Sequence, residues 1–121
     1  IRDVYKRQKE TLSIHGFSGD DPIVYIGGKD KEMSHSITKE LRKKDFTVKE
    51  SPNKIDAKSS DNIANKNESN SGVQLELTTA LRKQFFKHYK LDRHTRSDSD
   101  KYTKDFYKFA NAVQKGIEKV N

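Results

Sequence analysis

Cysteine is absent from the 121 residues, which excludes a disulfide framework and any thiolate metal site, so a bound metal would have to be held by His, Asp or Glu. Long apolar runs are absent too, and no stretch is apolar enough for a transmembrane helix or a signal-peptide core. The sequence also lacks an internal repeat and any HxxE or HExxH spacing. Hydrophobic residues make up 31% and charged residues 36%, a composition and length that fit one domain or a piece of one. The chain opens at Ile1 rather than at an initiator Met, and its first eight residues, IRDVYKRQ, match nothing that follows. They read as translated adapter sequence of the kind found at the ends of assembled metagenomic reads, so residues 1–8 are set aside from fold reasoning.

What the chain does have is charge. The formal net value is +7, which invites a polyanion-binding reading, but its distribution is uneven. Residues 9–50 hold eight basic and eight acidic side chains, residues 51–72 three of each, and residues 78–121 eleven Lys or Arg against five Asp or Glu. Without residues 1–8 the balance is +5, and all of that excess follows Glu76. A basic C-terminal stretch attracts polyanions in general, and its commonest meaning is a solvated helix surface.

Apolar periodicity sets the element order. Thr11-Leu12-Ser13-Ile14-His15 alternates with period two and predicts a strand, broken by Gly16 and Gly19. Ile23-Val24-Tyr25-Ile26 predicts a second strand, closed by Gly27-Gly28. Met33, Ile37 and Leu41 recur every four residues, so Asp30 to Lys44 reads as an amphipathic helix, and Phe46-Thr47-Val48 as the next strand. Strand, helix, strand is a βαβ signature. Residues 51–72, with five Ser and five Asn, read as a long loop. Val73-Gln74-Leu75-Glu76-Leu77 predicts a strong strand, and Thr78 or Thr79 can cap the helix that carries Leu81, Phe85 and Phe86. Residues 88–101 are polar and expected to be exposed, and a last helix, about Thr103 to Val120, carries Phe106, Phe109, Val113 and Ile117 on one stripe. The fold class expected is α/β: a mixed, largely parallel sheet with helices on both faces.

Two polar residues stand out against this pattern. Alternation sends Val73, Leu75 and Leu77 to one face and Gln74 and Glu76 to the other; under helices on both faces, Glu76 must be paired, hydrogen-bonded or part of an active site. A bond to a neighbouring Lys or Arg would satisfy it without any function. His15 ends a strand and runs into a Gly-containing loop, where α/β sheets place their ligands, although a strand-end His is commonly structural. A neutral imidazole is a zinc ligand, and a carboxylate beside a zinc site can act as general base. One His is not enough, because a catalytic zinc takes about three protein ligands. His35, on the polar side of a helix, and His88 and His94, in a charged segment, do not supply the rest.

The segments Ser13-Ile14-His15-Gly16, Val24-Tyr25-Ile26-Gly27-Gly28, Asn62-Ile63-Ala64-Asn65 and Gly72-Val73-Gln74-Leu75-Glu76-Leu77, in this order and with the amphipathic helix after the second, resemble the phage-type poly-γ-glutamate hydrolases, zinc peptidases with a zinc-carboxypeptidase-like fold. The resemblance implies that His15 is the third zinc ligand and Glu76 the general acid/base that activates the metal's water and protonates the leaving amine. It also implies that Arg82, with Asn65 and Lys66, receives substrate carboxylates. Lys66 departs from the family pattern, which has Arg there, and a Lys lacks the bidentate fork that suits a carboxylate. The family's first two zinc ligands come from an HGGxIE-like segment that this sequence does not contain. Residues 9–121 are accordingly expected to be the C-terminal part of a single hydrolase domain, incomplete at the N-terminus and inactive by itself.

The implied partner is poly-γ-glutamate or a similar acidic peptide, and the implied protein is a soluble monomer that binds neither membrane nor nucleic acid, released to the medium or kept in a bacterial cytoplasm. Two alternatives stand beside this reading. One is a related zinc amidase or carboxypeptidase acting on another peptide. The other is a non-enzymatic polyanion- or nucleic-acid-binding module, favoured by the basic C-terminal stretch and opposed by the lack of aromatic and basic interleaving on a sheet face.

Overall fold

The computed structural model describes residues 12–51 and 72–120. Residues 1–8, read from the sequence as foreign, lie outside the described residues, as do nearly all of the expected loop 51–72 and, within it, Asn65 and Lys66. The strands are β1 (Leu12–Phe17), β2 (Val24–Gly27), β3 (Val48–Glu50) and β4 (Val73–Thr78); the helices are α1 (Lys31–Lys43), α2 (Thr79–Gln84), α3 (Arg93–Ser97) and α4 (Lys104–Lys119).

The strands form one sheet in the order β1-β4-β2-β3. β2 and β3 are parallel neighbours joined through α1, which is the βαβ unit the sequence predicts. β1 runs parallel to β4, and β2 runs antiparallel to it, so the sheet is mixed with two of its three pairings parallel. β4, last in the chain, lies between β1 and β2 and is buried along all six residues.

Alternation along the strands separates two faces. Val73, Leu75 and Leu77 join Leu12, Val24, Ile26 and Val48 in a core completed by Met33, Ile37 and Leu41 of α1 and by Phe109, Ala112, Val113 and Ile117 of α4. Apart from Ala112, each such side chain, fully buried, contributes roughly 1.5–3 kcal/mol, so this layer is the main source of stability. α1 and α4 cross closely at Gly116, where an added Cβ would lie 2.7 Å from the Ile37 Cα, and the Ser36 hydroxyl donates to the Gly116 carbonyl at 2.6 Å. Glu40, 3% exposed, accepts from Lys119 and, at 3.2 Å, from Lys43. The Lys119 ammonium chiefly, helped by Lys43, holds the Glu40 carboxyl below its usual range against the opposing effect of burial.

Side-chain caps start the helices where polar residues precede apolar periodicity. Asp30 accepts from the Met33 amide, Thr78 from Leu81 and Thr103 from Phe106. Among the described residues, no helix is long and apolar enough to cross a membrane.

Four expectations shift. The strand expected at Phe46–Val48 is found at Val48–Glu50, because α1 ends in a tight turn with Asp45 at φ 69° and the Phe46 amide bonded back to Leu41. Phe46 instead packs edge to face on Phe109, ring centres 5.8 Å apart. Gly16 does not break β1, since it pairs with Leu77 and the strand runs on to Phe17. α2 ends at Gln84, with Phe85 as its C-cap rather than within it. The polar stretch 88–101 is largely exposed but contains α3, where Asp92 caps the Thr95 amide and Thr95 is buried.

Candidate active site

The face of the sheet opposite α1 and α4 carries the polar residues. Glu76 stands in the middle of β4, with His15 of β1 as its partner on one side and Tyr25 of β2 on the other. Adjacent strands lie about 4.8 Å apart, so the three side chains form a row on one face. Within it Glu76 is 5% exposed, Tyr25 half-buried and His15 exposed. A buried carboxylate needs a donor. Among the described residues this is a serine rather than a Lys or Arg: the Ser51 hydroxyl donates to Glu76 Oε1 at 2.7 Å. The Phe17 and Tyr25 rings meet across β4, edge to face at 5.2 Å, and close the row on the Thr78 side.

The end of β4 is pinned by one hydroxyl. Thr78, 1% exposed, accepts from the Ile23 amide (3.0 Å) and the Leu81 amide (3.2 Å) and donates to the Asp21 carbonyl (2.7 Å). This uses the one donor and both acceptor positions of a hydroxyl. It sets the start of α2, and with it the position of Arg82. The Arg82 Nε donates to the Leu77 carbonyl at 3.0 Å and Nη2 to the Thr79 hydroxyl at 3.3 Å. The guanidinium then lies over Gly16, next to His15 in β1; a Cβ on Gly16 would be 3.0 Å from its Cζ.

Of the residues singled out in the sequence, the fold therefore sets His15 and Glu76 side by side in the C-terminal halves of two parallel strands, near the usual ligand position of an α/β sheet, whereas Arg82 lies against Gly16 on the side where Leu77 points, across the strand from His15. Asn65 and Lys66 lie outside the described residues. His35, His88 and His94 are exposed on other elements, and among the described residues no group of three His, Asp or Glu is placed to hold a metal ion. The α4 lysines, Lys104, Lys108, Lys115 and Lys119, belong to the layer behind the sheet, and Lys119 is engaged by Glu40. That part of the basic excess does not front the site.

A family model described as poly-gamma-glutamate hydrolase matches residues 1–112 of the chain. The chain belongs to the poly-gamma-glutamate hydrolase family. Among curated relatives, the UPF0714 protein YmaC of Bacillus subtilis (strain 168) is 25% identical over 94% of this chain and 48% of its own length. The SPbeta prophage-derived UPF0714 protein YoqZ of the same organism is 30% identical over 74% of this chain and 33% of its own. The chain thus spans half or less of the curated relatives it matches. A solved bacteriophage poly-gamma-glutamate hydrolase superposes with a TM-score of 0.85 at 26% identity, covering 93% of this chain and 53% of that one. A zinc-free apo form of YNDL gives 0.79 at 23% identity, covering 90% and 53%, a likeness of fold alone. The α/β fold expected from the sequence is the fold of the phage hydrolase.

Sequence reasoning missed Ser51 and Tyr25 and left Thr78 undecided against Thr79. Thr78 carried a signal, since a Thr preceding an apolar period is a capping residue, and its hydrogen bond from the Leu81 amide identifies it over Thr79. Tyr25 and Ser51 carried none, because their place beside Glu76 depends on strand order.

Proposed function

We propose that this chain is the C-terminal part of a zinc-dependent hydrolase that cleaves the γ-glutamyl amide bonds of poly-γ-glutamate. In this reading Glu76 is the general acid/base, His15 a zinc ligand, and Arg82, with Asn65 and Lys66, receives the polymer's α-carboxylates. The observation that carries it is the side-by-side register of an exposed imidazole and a buried carboxylate, His15 and Glu76, on two parallel strands in a member of this family.

His15 suits a zinc ion chemically, being an exposed imidazole on a rigid strand. The donor set is incomplete among the described residues, so the remaining ligands are assigned to chain outside them. The existence of a zinc-free apo form of a structural neighbour supports zinc as the metal. When bound, zinc supplies Lewis-acid polarisation of a carbonyl and a water acidic enough to ionise near neutral pH. The rest falls to this chain. Glu76 accepts the proton of the attacking water and passes it to the departing amine, and its burial keeps that proton from exchanging into bulk solvent. Arg82, its guanidinium held by the Leu77 carbonyl and Thr79, would take a substrate carboxylate that passes round the ends of β1 and β4.

The test is the size distribution of poly-γ-glutamate treated with the full-length protein, with and without a chelator. Glu76→Gln is expected to lower the rate by about 10²–10⁴-fold, the usual worth of a general acid/base. Chelation is expected to abolish the activity. Full activity of Glu76→Gln, or indifference to chelation, overturns the assignment. Cleavage of an ordinary α-linked peptide in preference to the polymer would move the reading to the related amidase, and salt-dependent nucleic-acid retention without any cleavage to the polyanion-binding module.

A further inference from the structure

We propose that Ser51 is a positioning residue that fixes the Glu76 carboxylate in its working orientation, an inference that rests on the acid/base role of Glu76. Ser51 follows the last residue of β3, and its amide continues the ladder by donating to the Ile26 carbonyl at 3.0 Å. Its backbone is therefore held by the sheet. Glu50 pairs with Ile26, which sets Ser51 abreast of Gly27, while Glu76 pairs with Tyr25 and Gln74 with Gly27. Ser51 and Glu76 thus stand two strands apart and two residues out of step, with β2 between them. The β2 residue level with Ser51 is Gly27, which has no side chain, and the serine hydroxyl and the glutamate side chain meet diagonally across β2 in a 2.7 Å hydrogen bond.

The last torsion of a glutamate is broad and roughly two-fold, so packing alone fixes the carboxyl plane poorly. A donor on Oε1 selects one orientation and leaves Oε2 at a constant position for the proton transfer. Groups that orient a reacting side chain in this way commonly bring about 10–100-fold in activity. A serine that merely satisfied a buried carboxylate would act on stability and leave turnover unchanged.

The experiment measures kcat and KM on poly-γ-glutamate and the urea midpoint for the full-length protein and its Ser51→Ala, Ser51→Thr and Ser51→Cys variants, with Glu76→Gln as the reference for loss of the acid/base. Ser51→Ala is expected to lower kcat about tenfold with KM within about twofold, and Ser51→Thr, which keeps the hydroxyl, to return kcat to within about twofold of the parent. Ser51→Cys keeps the shape with only a weak donor and is expected to fall as Ser51→Ala does, which provides the reading if the alanine variant does not fold. Unchanged kcat in Ser51→Ala or Ser51→Cys, or a Ser51→Thr variant as slow as Ser51→Ala, overturns the positioning role alone. A parent protein without hydrolase activity, or a fully active Glu76→Gln, overturns the acid/base reading and the positioning role together.

Discussion

Replacing Thr78 by Val tests whether one hydroxyl organises the edge of the site. The two side chains are nearly the same size, so the change removes three hydrogen bonds without opening a cavity. Two backbone amides, of Ile23 and Leu81, and the Asp21 carbonyl lose their partner at a residue 1% exposed. Losing an N-cap costs about 0.5–2 kcal/mol, and a buried polar group left without a partner about 1–3 kcal/mol. Local relaxation lets water reach the Asp21 carbonyl, which belongs to an exposed residue, so the expected total is about 3 kcal/mol. With a slope of about 1–3 kcal/mol/M in urea, this is a drop in midpoint of roughly 1–3 M. The assay is urea denaturation followed by far-ultraviolet circular dichroism, with Thr78→Ser as comparison. Serine keeps the hydroxyl and loses one methyl, so about 1 kcal/mol is expected. If Thr78→Val unfolds within 0.5 kcal/mol of the parent, on the order of a surface substitution, or Thr78→Ser costs as much, the hydroxyl does not hold this corner together.

Gly16→Ala is expected to act on Arg82 alone: the new methyl would lie 3.0–3.3 Å from the guanidinium, the movable end of a long side chain. Because alanine suits a strand better than glycine by roughly 0.5–1 kcal/mol, the urea midpoint should hold or rise while KM for poly-γ-glutamate increases several-fold in the full-length protein; an unchanged KM would remove Arg82 from substrate binding. Acid should probe the helix pair. The Glu40 carboxyl is depressed below its usual 4.5, so its contribution to stability is complete above that pH and is lost as pH falls through the lower folded value. Lys119 is raised above 10.5, so its contribution is complete below that pH and is lost on passing the higher folded value. Glu40→Gln should therefore flatten the decline of the urea midpoint below about pH 4.5, and an acid limb identical to the parent's would contradict the ion pair.

Much of the fold is legible in the apolar periods, which locate four strands and both long helices within a few residues. The errors have local causes that tertiary contacts override. A glycine reads as a strand breaker, yet at Gly16 the ladder to Leu77 continues and the bare Cα admits Arg82. Phe46 reads as a strand residue, yet the turn at Asp45 delivers it to Phe109 instead. Glu76 is visible in the sequence as a carboxylate misplaced in an apolar strand, but its register partnership with His15 is not, because it depends on which strands pair. Ser51 was invisible: it meets Glu76 only because β4 is followed by β2 and then β3 across the sheet, an order that local pattern does not encode.

The same strand order bears on how the chain folds. Among the described strands β4 is made last and sits between β1 and β2, so a chain emerging from synthesis carries the β4-facing edges of both unpaired until Val73–Thr78 arrives. Strands that wait for a partner some sixty positions away are slow to close and open to pairing with other chains. The row of His15, Glu76 and Tyr25 is drawn from the two waiting strands and the late one, so the site comes into existence only in the step that seals the sheet, and a misregistered insertion of β4 by one residue would turn Glu76 into the apolar core.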